Sequence, residues 1–365
     1  MIEFDSGVGG SATKSGPTVK STGVRIKVLG IGGAGCSILS RLNRSYLPKI
    51  EFVVLNTDGG SLERCGVEKK LQLGGRVTQG WGTGGDPEIG RQIALEEKDR
   101  VKAILYHTDL VFLVSGLGKG TGTGASPVVA QLAKEMGSLT LGFVVLPFYF
   151  EGEKRVEVGK RGLQELERAL DALMVIPNDI LLKNAQQHPS LKEGLRRIDG
   201  VLDQVIQALG NLLLGPGLMI LDFADIRALL QNQGRIQIAM GKASGKDAAR
   251  EAAKQVVSSP LSDKTSLKKA KAVLFNIRGG KDLSLSQVEA ATLIVQENSC
   301  SQAEFVFGAS IDEGISEEVT VTLIAAGGKI TEDHKKPPSS AKQLDLGVYA
   351  SDELDIPTFL RKRKN

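Results

Sequence analysis

Three glycine clusters in the first third of the chain constrain its fold more than any other feature: GIGGAG at 30–35, GWGTGG at 80–85 and GLGKGTGTG at 116–124. Glycine accounts for 44 of 365 residues, about 12% against an ordinary ~7%, and it is the clustering that makes the excess informative. Glycine is required where backbone approaches a neighbour closely or turns through positive φ. The first and third clusters each follow an apolar run of strand character, RIKVLGI and DLVFLVS, and each leads into a helical pattern. A helix entered this way presents unpaired N–H groups and the positive end of its dipole, which together hold a phosphate. Three such loops on one domain imply an extended anionic ligand.

Gly30-x-Gly32-x-x-Gly35 also fits the dinucleotide fingerprint, with Asn56 and Asp58 close to where a ribose-binding acid would stand. Taken alone, that match supports an NAD-dependent dehydrogenase, or merely a tight strand–helix turn. The GLGKGTGTG cluster adds a second cradle on the same sheet edge, its threonine hydroxyls supplementing the backbone donors. Two or three converging loops suit a triphosphate better than the single pyrophosphate of a dinucleotide. The three histidines, His107, His188 and His334, occupy no recognisable catalytic setting. No GxxxxGK[ST] occurs, which excludes a P-loop enzyme.

Residues 1–24, rich in Gly, Ser, Thr and Lys, read as a disordered arm. From Arg25 strands alternate with helices: strand RIKVLGI, a helix from 34 to about 43, strand EFVVLN, one helix over 87–105 and strand DLVFLVS. A helix over 126–136, strand LTLGFVVL, a helix from about 154 to 171 and strand LMVIP continue the pattern. This order implies parallel strands with covering helices. Leu191, Leu195, Ile198, Leu202, Val205, Leu209 and Leu212 recur at steps of four and three, one apolar stripe along a helix that Gly215-Pro216-Gly217 ends. Such a stripe is the mark of a buried spine, with a short coiled-coil seam as the alternative. Strands RIQIAMG, AKAVLFNIR, AEFVFGAS and EVTVTLIAA, with helices near 246–258 and 285–298, form a second, smaller α/β domain. A polar linker at 331–353 leads to LDIPTFLRKRKN, an apolar patch followed by four basic residues.

Charge narrows the partners. Lys and Arg number 46 against 42 Asp and Glu, and a net +4 over this length demands no nucleic acid. The richest apolar run, Leu139 to Phe150, is broken by Gly142 and Pro147 and falls short of the roughly 18 residues of a membrane helix. The N-terminus has neither the basic region nor the apolar core of a secretory signal, so the expected location is cytoplasmic. Cys36, Cys65 and Cys300 lie far apart, without metal-ligand spacing.

GKGTGTG at 118–124 resembles the tubulin/FtsZ signature GGGTGTG. Further FtsZ-like segments follow in order: NTD at 56–58, GGDPEIGR at 84–91, PFYFEGEKR at 147–155, IPND at 176–179 and DFADIR at 222–227. LDIPTFLRKR at 354–363 is similar to the FtsZ tail peptide. On these motifs the chain is identified as a member of the FtsZ family, the resemblance running from about Arg25 to Ala326 and resuming at the end.

The resemblance implies an α/β, tubulin/FtsZ-like fold: a Rossmann-like parallel-sheet GTPase domain at 25–190, a central helix at 191–214, a C-terminal activation domain at 215–330, and a partner-binding peptide at 354–365. It implies GTP and GDP as ligands, with Mg²⁺ drawn in by the phosphate chemistry and no metal ligands assigned. Gly33, Ala34, Gly35, Cys36 and Ser37 would line the first phosphate loop, with Asn56 and Asp58 beside it. Gly118, Lys119, Gly120, Thr121, Gly122 and Thr123 would hold phosphates, with Thr83 and Gly84 near the γ-phosphate. Glu151 and Arg155 would contact ribose, and their spacing is equally that of a surface i, i+4 ion pair. Asn178 and Asp199 would read the base, a carboxylate accepting both N1–H and the exocyclic amine of guanine, and Leu195 would lie against the base.

Asp222 and Asp225 would orient the attacking water for the neighbouring subunit's nucleotide, although local rules alone make them an N-cap and a first-turn acid. Head-to-tail repetition of such a split site gives filaments, here the division ring. The sequence departs from the family at Ser37 and Ile220, where Asn is usual, at Leu195, where an aromatic is usual, and at Lys119, where glycine is usual. Counted back from DFAD without a gap, the base-reading acid falls on Gly200, one place beyond Asp199. These departures keep a second reading open, a weakly hydrolysing structural paralog that co-assembles. Ile356, Phe359, Leu360 and the basic tail would dock division or membrane-tethering proteins.

Overall fold

The computed structural model describes residues 23–42, 44, 47, 49–179, 191–214, 222–259, 267–312, 314 and 317–327. Residues 1–22 of the expected arm, Ile220, the linker and the tail peptide with Ile356, Phe359 and Leu360 lie outside the described residues. Val24, within the expected arm, packs against the core.

Six parallel strands come first: β1 (Ile26–Ile31), β2 (Ile50–Asn56), β3 (Lys69–Gln72), β4 (Leu110–Gly116), β5 (Leu139–Leu146) and β6 (Ala172–Pro177). They lie in the order β3-β2-β1-β4-β5-β6, so the connections reverse direction between β1 and β4. The helices joining them are α1 (Gly32–Arg41), α2 (Gly59–Arg64), α3 (Gly75–Thr78), α4 (Pro87–Glu96), α5 (Lys98–Leu105), α6 (Gly120–Glu135) and α7 (Glu153–Ala169). The long helix α8 (Leu191–Leu214) and α9 (Phe223–Leu230) lead into β7 (Gly234–Ser244). Then come α10 (Ala248–Val257), β8 (Ala272–Gly279), α11 (Leu285–Asn298), β9 (Glu304–Ile311) and β10 (Glu318–Ala326). The sheet continues as β7-β10-β8-β9, ten strands in all. β6 and β7 pair through Ala172–Gly234 and Leu173–Arg235, whereas β10 and β7 pair from Glu318–Ser244 to Ala326–Ile236.

Strand side chains alternate between faces. Val28, Phe112, Phe143 and Met174 pack with α1, α8 and α9, while Leu29, Leu113, Val144 and Leu173 pack with α4, α5, α6 and α7. Both faces are covered, which is why these strands read as nearly unbroken apolar runs. The expected stripe on α8 is buried at Ile198, Leu202, Val205, Leu209 and Leu212, each worth roughly 1.5–3 kcal/mol of transfer free energy. Those residues share one cluster with Ile236 and Ile238 of β7 and Ile324 of β10, making α8 a spine common to both halves of the sheet. A separate cluster sets α10 and α11 against β7, β8 and β10.

Two expected helices differ. The single helix over 87–105 divides at Glu97, whose backbone leaves helical geometry (φ −100°, ψ 23°). There its carboxylate accepts the Gly74 N–H at 2.8 Å, tying the break to the turn between β3 and α3. The helix expected from Ser126 starts six residues earlier, so GTGTG forms its first turns rather than a loop. Low glycine propensity hid this. Tertiary packing overrides it, because α4 with its N-cap and β4 press so closely on α6 that a Cβ on Gly120, Gly122 or Gly124 would collide with backbone.

Candidate nucleotide site

Except for Asp199, Leu195 and the two aspartates of α9, every candidate side chain follows the carboxyl end of a parallel strand. In open α/β sheets, ligands bind at that edge where the connections reverse, here between β1 and β4. The N-termini of α1 and α6 open side by side at this point. A Cβ on Gly32 (φ 72°) would lie 2.8 Å from Gly122 N. Ser115 at the end of β4 links the two turns, its hydroxyl reaching Ile31 O at 3.3 Å and Gly122 O at 3.1 Å.

In the first turn Gly33, Ala34 and Ser37 are exposed, and a Cβ on Gly33 would meet nothing within 4 Å. Gly35 is pressed against β4, with Val114 O 2.6 Å from a would-be Cβ. The Cys36 side chain does not line this loop. It is buried in the core, where desolvation and the neighbouring Cys65 push its thiol up to about 12. Only its backbone can serve a ligand.

In the signature turn, Gly118 (φ 99°) donates its N–H to Thr123 Oγ1 at 2.9 Å. Gly120, Thr121, Gly122 and Thr123 are buried within α6. Thr121 Oγ1 shares a 2.7 Å hydrogen bond with Thr57 Oγ1, tying the signature to the end of β2. Lys119 is exposed at the N-cap of α6, makes no capping bond and has no acid in the helix's first turn. Thr83 packs onto Gly120, where a Cβ would fall 1.8 Å from its Oγ1, and Gly84 (φ 62°) faces open space.

Asn56 accepts the Thr57 N–H at 2.9 Å through Oδ1. Asp58 caps α2, accepting the Ser61 N–H at 3.0 Å and the Ser61 hydroxyl at 2.7 Å, and that hydroxyl chiefly holds its carboxyl below the usual range. Glu151 accepts the Phe148 N–H at 2.9 Å and pairs with Arg155. Three buried polar atoms at this edge have no partner among the described residues: Asn56 Nδ2, Arg155 Nε and Asn178 Oδ1. Buried polar atoms are nearly always bonded, so three orphans along one sheet edge fit a polar ligand.

Asp199 is 8% exposed and already engaged: Arg41, in the last turn of α1, donates Nε to its Oδ2 at 2.6 Å and Nη2 to its Oδ1 at 2.8 Å. The bond to Asp199 raises the guanidinium further above its ordinary value. Gly200 is exposed with open space around it. Leu195 lies in α8, its side chain outside the described residues.

Asp222 and Asp225 stand apart from all of these. Both are exposed, Asp222 at the N-cap of α9 without a side-chain capping bond and Asp225 in the first turn. Arg227 fixes α9 by donating to Gly137 O at 3.0 Å and Asp109 O at 3.4 Å, just before β5 and β4 begin. The two acids therefore belong to the amino edge of the sheet, opposite the cradle. Among the described residues no group of three or more His, Cys, Asp and Glu could hold a metal ion. A Mg²⁺ here would be of the kind held chiefly by phosphate oxygens and water. No helix of the described residues is long and apolar enough to cross a membrane.

Thr57, Ser115 and Arg41 join the site without having been expected from the motifs. Thr57 sits inside NTD and is within reach of the sequence, whereas Ser115 and Arg41 carry no local signal.

A Rossmann-ordered parallel sheet, two glycine-opened helices at its reversal point and a long helix shared with a second half define a tubulin-like GTPase fold. The model of the Tubulin/FtsZ family GTPase domain matches residues 25–186, and that of the FtsZ family C-terminal domain matches 234–329. An empty FtsZ dimer from M. jannaschii is 36% identical, with 84% of this chain and 89% of that one covered, at a TM-score of 0.75. CetZ2 from Haloferax volcanii, a GTPγS-bound protofilament, is 23% identical over 85% of this chain and 95% of its own, at 0.71. CetZ1 from the same organism, a GDP-bound monomer, is 22% identical over 85% and 96%, at 0.71. The chain belongs to the FtsZ family of tubulin-like GTPases. The GTPase-domain match includes the first glycine loop, which removes the basis of the dehydrogenase reading.

Proposed function

We propose that this chain binds and hydrolyses GTP, polymerises head-to-tail into filaments at the division site, and completes hydrolysis in trans. Residues 25–190 are the nucleotide domain, 191–214 the connecting helix, 215–330 the activation domain, and 354–365 a docking peptide for division or membrane-tethering partners. One observation carries the reading: the cradle opens at the carboxyl edge of the sheet while Asp222 and Asp225 project from α9 at the amino edge. Acids so placed serve a nucleotide bound to the next molecule rather than their own. The empty dimer and the bound protofilament among the relatives support association of this kind.

In such a contact the backbone of Gly33 to Ser37 and Gly120 to Thr123 holds the phosphates, Arg155 and Glu151 lie toward the ribose, and Asn178 toward the base. Mg²⁺ supplies charge neutralisation on the phosphate oxygens. Asp222 and Asp225 of the following molecule accept hydrogen bonds from the attacking water and orient it. The exposed lysine at the signature and the pairing of Asp199 with Arg41 favour the second reading, a weakly hydrolysing paralog that co-assembles.

Phosphate release from GTP, measured across protein concentrations with an Asp225→Ala control, tests the proposal. Specific activity that appears above a threshold concentration and vanishes in the variant supports the split site. Activity per molecule independent of concentration refutes it. GTP binding without release selects the paralog.

A further inference from the structure

The Arg41–Asp199 pair joins residues 158 positions apart, and it engages both oxygens of the one carboxylate expected to recognise a base. The donors are Nε and Nη2 of one guanidinium, two parallel N–H groups in a rigid plane. The Watson–Crick edge of guanine presents the same pattern, N1–H beside an exocyclic N–H, to the same kind of acceptor. A carboxylate has about four lone-pair sites, but only the two facing forward can receive a planar pair of parallel donors together. Arg41 and guanine thus compete for one two-point acceptor.

Resting on the proposal that the crevice holds a guanine nucleotide read by Asp199, we infer that Arg41 is a specificity-determining residue. It occupies the base-reading carboxylate, and a base must displace it to be read. The surroundings permit the exchange. Asp199 is held, with an 11% exposed side chain, whereas the Arg41 side chain is 42% exposed, so the guanidinium can move into water while the carboxylate stays. Arg41 also lies one turn beyond Ser37 on the helix whose N-terminus forms the first phosphate turn. The gate and the cradle therefore share one rigid element.

A base able to offer two donors recovers what the displaced guanidinium gave up, and a base offering one does not. A base that displaces the guanidinium carries that cost and one that leaves the pair intact does not, so Arg41 lowers affinity for guanine most and narrows its margin over bases with fewer donors. Removing the fork frees the carboxylate in advance. A charge-assisted two-point pair corresponds to roughly ten- to a hundredfold in an equilibrium constant, which bounds the expected change.

The test uses the full chain, with GDP and inosine diphosphate (which lacks the exocyclic amine) as probes, titrated by calorimetry. Arg41→Met keeps the aliphatic stem and removes both donors, while Arg41→Lys keeps the charge and removes the fork. The expected result is GDP binding about tenfold tighter in R41M, with R41K moving the same way and inosine diphosphate gaining less than GDP in both; an equal or larger gain for inosine diphosphate overturns the assignment of specificity to Arg41. Adding Asp199→Asn to R41M should abolish the gain. GDP binding that is unchanged or weaker in both variants overturns the inference and makes Arg41 a support for the carboxylate instead. An R41M gain that survives Asp199→Asn also overturns it, because the gain then has another source. If the parent and both variants bind neither diphosphate, the nucleotide reading itself falls, and this inference with it.

Discussion

Replacing Gly124 by alanine should destabilise the fold by about 1–3 kcal/mol, although alanine is the better helix former. A Cβ on Gly124 would stand 1.8 Å from Pro87 O and 2.7 Å from Arg91 N, both backbone atoms of α4. Ordinary contact begins near 3.4 Å, so α4 must withdraw by about 1.6 Å, and no flexible side-chain end can give way instead. Alanine recovers roughly 1 kcal/mol of helix propensity over glycine. Against this stands the separation of two helices whose Ile93, Ala94, Ala125 and Val128 share one buried cluster. Dispersion falls steeply with distance, so a gap of that size forfeits much of the contact between them. The net loss, taken as ~2 kcal/mol, lowers the urea midpoint by about 1 M for a slope of ~2 kcal/mol/M. Circular dichroism of the nucleotide-free chain in urea measures it. Gly33→Ala, which meets nothing within 4 Å, is the control and should unfold at or above the parental midpoint. A Gly124→Ala midpoint equal to or higher than the parent's would refute the packing account of the signature glycines.

Asp225→Ala removes an exposed first-turn acid, should cost the fold less than about 1 kcal/mol, and should eliminate phosphate release at every protein concentration. Lys119→Gly removes a cation from the mouth of the cradle and should weaken GTP binding roughly tenfold, whereas equal or tighter binding by calorimetry would mean that the lysine obstructs the turn. Burial opposes ionisation of Asp171, yet the Lys134 ammonium and the Thr140 amide and hydroxyl hold its carboxyl below the usual range. A depressed carboxyl contributes stability that is present above the unfolded pKa of ~3.9 and lost as pH falls toward the folded value; urea midpoints should therefore drop below about pH 4, and less steeply in Asp171→Asn. Trp81 is 87% exposed two residues before Thr83, so its emission should shift when GTP binds and stay constant with guanosine.

Periodicity made most of the fold legible in the sequence. β5 and β10 have the expected limits because runs rich in apolar and β-branched residues stop abruptly, β5 between Ser138 and Pro147 and β10 at Gly327. The α8 stripe is equally clear, since an apolar period of 3.6 held over more than twenty residues fits a helix buried along one side and little else. β3 escapes such a reading because KKLQ is a short, half-charged edge strand that carries neither period. The start of α6 escapes it for the opposite reason: its glycines are there for α4 and β4, and a packing partner cannot be seen from one segment. At the site, glycine spacing located the cradle, and the motifs brought Asn56, Thr83, Arg155 and Asn178 to one edge. Asp58 caps α2 through Ser61, only three residues on, which local rules could have found, whereas the grip of Arg41 on Asp199 depends on a side chain 158 positions away that no motif records.

The joint between β6 and β7 has a mechanical meaning. Two rungs of backbone pairing connect a six-strand plate to a four-strand plate, each stitched internally by longer ladders. A plate with such an isthmus resists shear along the strands but yields to torsion about the narrow section, because few hydrogen bonds span it. Twist applied at α9 or β7 would concentrate there, and the buried stripe of α8 would act as the axle on which the two plates turn.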